Sequence, residues 1–144
     1  MESTLFRASD GRREIMDITL MYDSITVATT TSNSQGEKVL QLVPDVHNLV
    51  IPLDLFLHSK QEVSMQELGI WVVDRIPPRN RTSIKNILES FGLNRYDPLE
   101  VAIKTGASVM GDSWWLKTKE SQTFQNFTMR GIAGLPEITL SDLT

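Results

Sequence analysis

Between Ser64 and Gly106 the sequence is cut into three short helical lengths, and no long helix can be drawn through it. Ser64-Met-Gln-Glu67 is a capping box, in which the Ser hydroxyl accepts from the Glu amide and the Glu carboxylate reaches back. It opens a short helix with Leu68, Trp71 and Val72 on one face. "IPPRNR" then stops that helix and starts the next, because proline suits a first helical turn and not an interior. Ile84, Ile87, Leu88 and Phe91 follow at i, i+3, i+4 and i+7, an apolar stripe closed by Gly92 as a left-handed cap. Asp97 begins a third helix with Pro98 in its first position and Glu100 favoured by the helix dipole. Leu99, Ala102 and Ile103 face inward, and Gly106 ends it.

Helices this short and one-sided need a second layer to bury their apolar stripes. The flanking sequence offers one. "EIMDITLMY" and "SITVATTT" are β-prone runs joined around Asp23-Ser24, and "KVLQLV" follows the turn-rich "SNSQG". Beyond the helices "SWWLK" reads as a strand, and the glycine-punctuated tail holds one more candidate strand, "EITL". "PDVHNLVIPLDLFLHSK" is ambiguous, since its two prolines divide it into short pieces. The expected fold is α+β: a small antiparallel β meander packed with a compact three-helix segment and a further C-terminal strand. Residues 1–13 read as a flexible lead-in and residues 14–144 as a single domain, long enough to bury roughly 70% of its unfolded surface.

Composition removes several classes of function. The chain has no cysteine, which excludes disulfide frameworks and thiolate metal sites. Its 18 acidic against 14 basic side chains give a net charge of -4, a balance that argues mildly against broad nucleic-acid binding. No signal-peptide core opens the sequence, and its most apolar run, "NLVIPLDLFL", is interrupted by Pro52 and Asp54. A cytoplasmic protein without a membrane partner is the expectation.

Chemistry-bearing motifs are few. Gly111-Asp112-Ser113 looks like the start of a serine-hydrolase signature, but a serine nucleophile needs a base and a group to orient it. The chain's two histidines, His47 and His58, both lie upstream, no Asp-x-x-His follows, and the Gly-x-Ser-x-Gly elbow is missing. The plainer reading makes Ser113 a turn serine beside Asp112. Asp45, His47, Asp54 and His58 form an alternative metal-binding set, with Asp54 and His58 on one face if that segment is helical. No recognised ligand spacing supports it, and two partly exposed loop histidines are the simpler account. Phosphate-binding glycine loops and the kinase motif set are absent. No catalytic residue and no cofactor are expected.

Two features suit binding. Arg75, Arg79, Arg81 and Lys85 cluster around a helix start, an arrangement for an acidic protein face or nucleic-acid phosphate. The competing reading is a solvated helix end with Arg75 or Arg79 paired to Asp74. Trp114 and Trp115 point to opposite faces of a strand. One fills the core, for instance beside Trp71, and the other lies under the tail or stands exposed as an interface anchor.

The run "LGIWVVDRIPPRNRTSIKNILESFGL" with "VMGDSWWLK" resembles the N-terminal region of HipA-like kinase proteins of Firmicutes. The matching positions are Trp71, Arg75-Ile76-Pro77, Arg81, Ile84, Leu88 and Asp112 through Leu116, with Trp114 where the family has tyrosine. The meander, Asn126-Phe127 and the ending "LPEITLSDLT" are similar in pattern, so the resemblance covers roughly residues 15–144. It stops short of the kinase-like domain, so it implies an accessory domain and no catalytic residue. Stand-alone relatives of this kind suit phages and other mobile genetic elements. The resulting expectation is a non-enzymatic protein-binding regulator, most concretely a stoichiometric inhibitor of a host nucleic-acid-handling or defence enzyme of the anti-CRISPR type. Its partner would be a larger host protein such as a nucleic-acid-guided nuclease. Alternatives are a DNA-binding transcriptional regulator using the basic helix near residues 75–85, and a metal-binding protein using His47 and His58.

Overall fold

The β-prone runs on either side of Asp23-Ser24 pair with one another. In the computed structural model, which describes residues 5–7, 13–15 and 17–143, they become antiparallel strands β3 (Thr19–Tyr22) and β4 (Ile25–Ser32). Asp23 takes φ +50°, the left-handed geometry that a two-residue hairpin turn requires and that a short polar side chain tolerates. The next turn is set by Asn33, whose Oδ1 accepts the Gln35 and Glu37 amides at 2.9 Å each. It delivers β5 (Lys38–Leu42) antiparallel to β4, completing the meander.

Two further strands widen this sheet. β6 (Glu62–Ser64) pairs with β5, and β7 (Trp114–Lys117), the strand read from "SWWLK", pairs with β3. The result is one five-stranded antiparallel sheet in the order β6-β5-β4-β3-β7. β6 went unread because it is only three residues long and runs directly into a helix cap. Near the N-terminus, β1 (Leu5–Arg7) and β2 (Arg13–Ile15) form a separate two-stranded sheet. The segment read as a flexible lead-in therefore contains a strand; its residues 1–4 and 8–12 lie outside the described residues. "EIMDITLMY" is likewise two strands, ending at Ile15 and restarting at Thr19.

The three helices form where their caps place them. α1 (Met65–Trp71) carries the capping box as read: Glu67 N–H donates to Ser64 Oγ at 3.0 Å, and Ser64 N–H donates to Glu67 Oε1 at 2.9 Å. A tighter helical turn, Val72–Arg75, continues it and buries Val72 below Leu68. α2 (Ile84–Ser90) holds Ile84, Ile87, Leu88 and Phe91 half-buried while their neighbours are exposed, and Gly92 closes it at φ +75°. α2 differs from expectation at its start. Pro77-Pro78 end the preceding helical path but do not open this one, because the Arg81 and Ile84 amides are first used in successive turns onto Pro78 and Arg81 carbonyls. Ser83 stands at the cap without a side-chain bond. α3 (Pro98–Thr105) is capped by Asp97 Oδ1 on the Leu99 and Glu100 amides, and Gly106 ends it at φ +76°.

The helices cover one face of the sheet. Leu20, Val27, Leu40 and Leu116 from the strands meet Leu68, Val72, Val101 and Ile103 from the helical segment, all at most 2% exposed. Each such side chain contributes about 1.5–3 kcal/mol by leaving water. The tail adds two short helices, α4 (Phe124–Phe127) and α5 (Met129–Ile132), with Thr123 and Asn126 forming a second capping box. "EITL" is not a strand. The tail is held by a side chain instead: Ile138 N–H donates to Asp23 Oδ2 at 2.7 Å. Leu143 then reaches the main core. No helix among the described residues is long and apolar enough to cross a membrane.

The capping box has a pH signature. Hydrogen bonding from Ser64 N–H, then from Lys60, lowers the pKa of Glu67 below its ordinary value. Its contribution to stability is therefore present above the unfolded carboxylate value of about 4.3 and is lost as pH falls through the folded value. Glu67→Gln is expected to be less stable than the parent near neutrality, with the difference shrinking on acidification below about pH 4. Urea unfolding across an acid pH series checks this.

Candidate functional site

Arg75 sits at the end of the helical turn that follows α1, and the fold directs it inward. Its side chain is 9% exposed. Nη1 and Nη2 donate to the two carboxylate oxygens of Asp112 at 2.8 and 2.6 Å, Nε donates to the Ala107 carbonyl at 2.9 Å, and Nη2 also reaches the Trp114 carbonyl at 2.8 Å. The guanidinium lies 4.6 Å from the centre of the Trp71 ring. Arg75 is thus withdrawn from the basic cluster, and the pairing with Asp74 is replaced by one with Asp112. Only arginine has the planar fork that meets these three acceptors at once.

The rest of the cluster is exposed. Arg79 lies 5.2 Å from the Tyr96 ring centre and donates to the Tyr96 carbonyl at 3.1 Å, while the Tyr96 hydroxyl donates to the Pro77 carbonyl at 2.7 Å. Burial raises the pKa of that phenol and the charge of Arg79 opposes the rise. Arg81 and Lys85 are exposed and make no ion pair among the described residues. Two free cations and one stacked arginine remain where four were expected.

Neither tryptophan is an exposed anchor. Trp114, half-buried beside the main core, donates its indole N–H to the Val50 carbonyl at 2.8 Å and meets Tyr22 edge-on at 5.5 Å. Trp115, on the other face, is 1% exposed, donates to the Asp23 carbonyl at 2.8 Å and packs 6.0 Å from Phe127 of the tail. The two indoles take opposite faces as expected, and the structure makes the assignment the sequence left open: Trp114 lies toward the core and Trp115 under the tail. Ser113 between them and Asp112 is 6% exposed, and its carbonyl accepts the Asp23 amide. Asp112 Oδ1 accepts the Trp114 amide, so Gly111-Asp112-Ser113 is a turn that aims a carboxylate at Arg75.

The histidine set is not assembled. His47 Nδ1 accepts the Leu49 amide at 3.1 Å and caps a short helical turn. His58 has φ +57°, inside a segment of turns, so Asp54 and His58 share no helical face. No group of three or more histidine, aspartate or glutamate side chains suited to a metal ion occurs among the described residues.

A different surface stands out. α1, its following turn and the first turn of α3 enclose an open apolar groove of about 710 Å³. Its floor and walls include Met65, Gly69, Ile70, Val73, Pro98 and Leu99, and its carboxylates are Asp74, Asp97 and Glu100. Ile70 is 68% exposed and Val73 46%, although both are large and apolar. The sequence carried this signal. Ile70 and Val73 fall off the stripe made by Leu68 and Val72, so α1 is apolar on two faces, only one of which the core can use. No protein-family model matches the chain, and no curated protein matches it either.

The Arg75–Asp112 pair is expected to act as a structural clamp. Arg75→Ala and Asp112→Ala each leave a largely buried charge without its partner and should each cost about 3 kcal/mol of unfolding free energy. Arg75→Lys should recover little of that. Chemical denaturation of the three variants checks the order.

Proposed function

We propose that the chain acts by binding another protein, as a stoichiometric regulator without catalytic chemistry of its own. The observation that carries this reading is the groove between α1 and α3, where Ile70 and Val73 remain in water beside an apolar floor. Contiguous exposed apolar surface of this kind is a recurrent property of interaction sites. Ser113 is buried, His47 is used as a cap, and the indole N–H groups of Trp114 and Trp115 are spent on backbone carbonyls.

The more specific form is inhibition of a host nucleic-acid-handling or defence enzyme, in the manner of an anti-CRISPR protein from a mobile element. It draws its support from the acidic balance of the chain and from the HipA-like resemblance. Arg75 lies in one block of that resemblance and its partner Asp112 in the other.

Immobilised wild-type protein exposed to an extract of its source organism is expected to retain one protein partner in a saturable complex, read by mass spectrometry and then by calorimetric titration of the purified pair. Retention of no protein above an unrelated acidic control overturns the reading. Binding of duplex DNA instead, with a salt dependence flattened in Arg79→Ala/Arg81→Ala, would establish the nucleic-acid alternative.

A further inference from the structure

Gly69 occupies the middle of α1, where glycine destabilises a helix relative to alanine. Nothing internal calls for it. Its backbone is not in the left-handed region, and a Cβ built there would meet no atom within 4 Å. Its missing side chain instead keeps the groove open, with Met65, Ile70 and Val73 around it on the α1 side and Pro98 and Leu99 on the α3 side.

Charge sets the kind of occupant. Asp74, Asp97 and Glu100 line the groove and no basic side chain does. Asp97 spends Oδ1 on the α3 cap and lies 3.9 Å from Arg95, and Glu100 is 6% exposed and 4.0 Å from the same arginine, so both are engaged within the chain. Asp74 makes no ion pair among the described residues. An occupant must therefore bring an apolar row for the floor and a cation for the exposed Asp74 at the rim. An amphipathic helix with apolar side chains at i, i+3, i+4 and i+7 flanked by Lys or Arg meets both demands, and a bare glycine on the facing helix lets the two backbones approach closely.

We infer that the α1–α3 groove is the docking site for a basic amphipathic helix of the partner protein, with Gly69 as its contact floor. The inference rests on the protein-binding reading above and names the surface and the chemistry that reading leaves open. Long side chains at position 69 fill the groove from an otherwise undisturbed helix, so binding and stability respond in opposite directions.

The test uses the full chain and three fluorescent helical peptides with one composition of apolar residues: Lys/Arg-flanked, Glu-flanked, and Lys/Arg-flanked with the apolar row scrambled. Anisotropy should show binding of the first alone, and amide chemical-shift changes should map to Met65, Gly69, Ile70, Val73 and Leu99. Gly69→Gln should weaken that binding by roughly tenfold or more while raising Tm by roughly 2–4 °C. Asp74→Lys should weaken it with little change in Tm, and Ile132→Ser, at an exposed apolar residue outside the groove, should leave it unchanged. Equal binding of the Glu-flanked or scrambled peptide, shifts mapping elsewhere, or undiminished affinity in Gly69→Gln overturns the inference. So does concentration-dependent self-association abolished by Gly69→Gln, which would make a second copy the occupant. A protein partner captured equally well by wild type and Gly69→Gln removes this site and leaves the protein-binding reading standing. Absence of any captured partner removes that reading itself.

Discussion

The bidentate pair between Arg75 and Asp112 joins the two halves of the fold. The helical path that begins at Ser64 ends at Arg75, and the last strand of the sheet begins two residues after Asp112. One guanidinium therefore sets the distance between a helix end and a strand start, and the carbonyls of Ala107 and Trp114 fix its orientation as well. Desolvating such a group is costly, and the cost is offset only because nearly every donor meets an acceptor and the Trp71 face covers the cation. With β7 held in this way, Trp114 and Leu116 seal one side of the sheet and Trp115 the other.

The same helix separates two tasks by face. Leu68 and Val72 are spent on the core, whereas Ile70 and Val73 contribute nothing to it. A chain selected only for stability would place polar side chains at those two positions and alanine at Gly69. Conflict between local preference and the needs of the fold is the pattern found where a surface serves something outside the molecule. The groove meets that description at three neighbouring positions on α1 and the turn that continues it, and the basic cluster meets it far less well once Arg75 has turned inward.

Much of the architecture was legible because caps and periodicity are local. Ser64 with Glu67, Asp97 with Pro98, and Gly92 and Gly106 each mark a helix boundary through bonds or dihedrals spanning a few residues, and all four stand where the sequence put them. The hairpin at Asp23-Ser24 and the alternation of Trp114 and Trp115 were readable for the same reason. What escaped was long-range. The partner of Arg75 lies 37 residues away, so the nearest acid in sequence, Asp74, was the natural but incorrect candidate. "EITL" was a candidate strand from its β-prone composition, but its Ile138 amide is taken by the carboxylate of Asp23, 115 residues away, a bond no local pattern states. The groove was hidden because its walls come from α1 and α3, whose apposition no local pattern states.

The turn at Asp23 has a consequence for how the chain is made. Its carbonyl receives the Trp115 indole 92 residues later, and its carboxylate receives the Ile138 amide 115 residues later. Its other carboxylate oxygen is buried with no hydrogen-bond partner among the described residues. During vectorial synthesis the hairpin emerges early with a carboxylate that stays hydrated until residues far downstream have left the ribosome. Burial of that group therefore needs residues far downstream, and β3 keeps an open edge until β7 pairs with it.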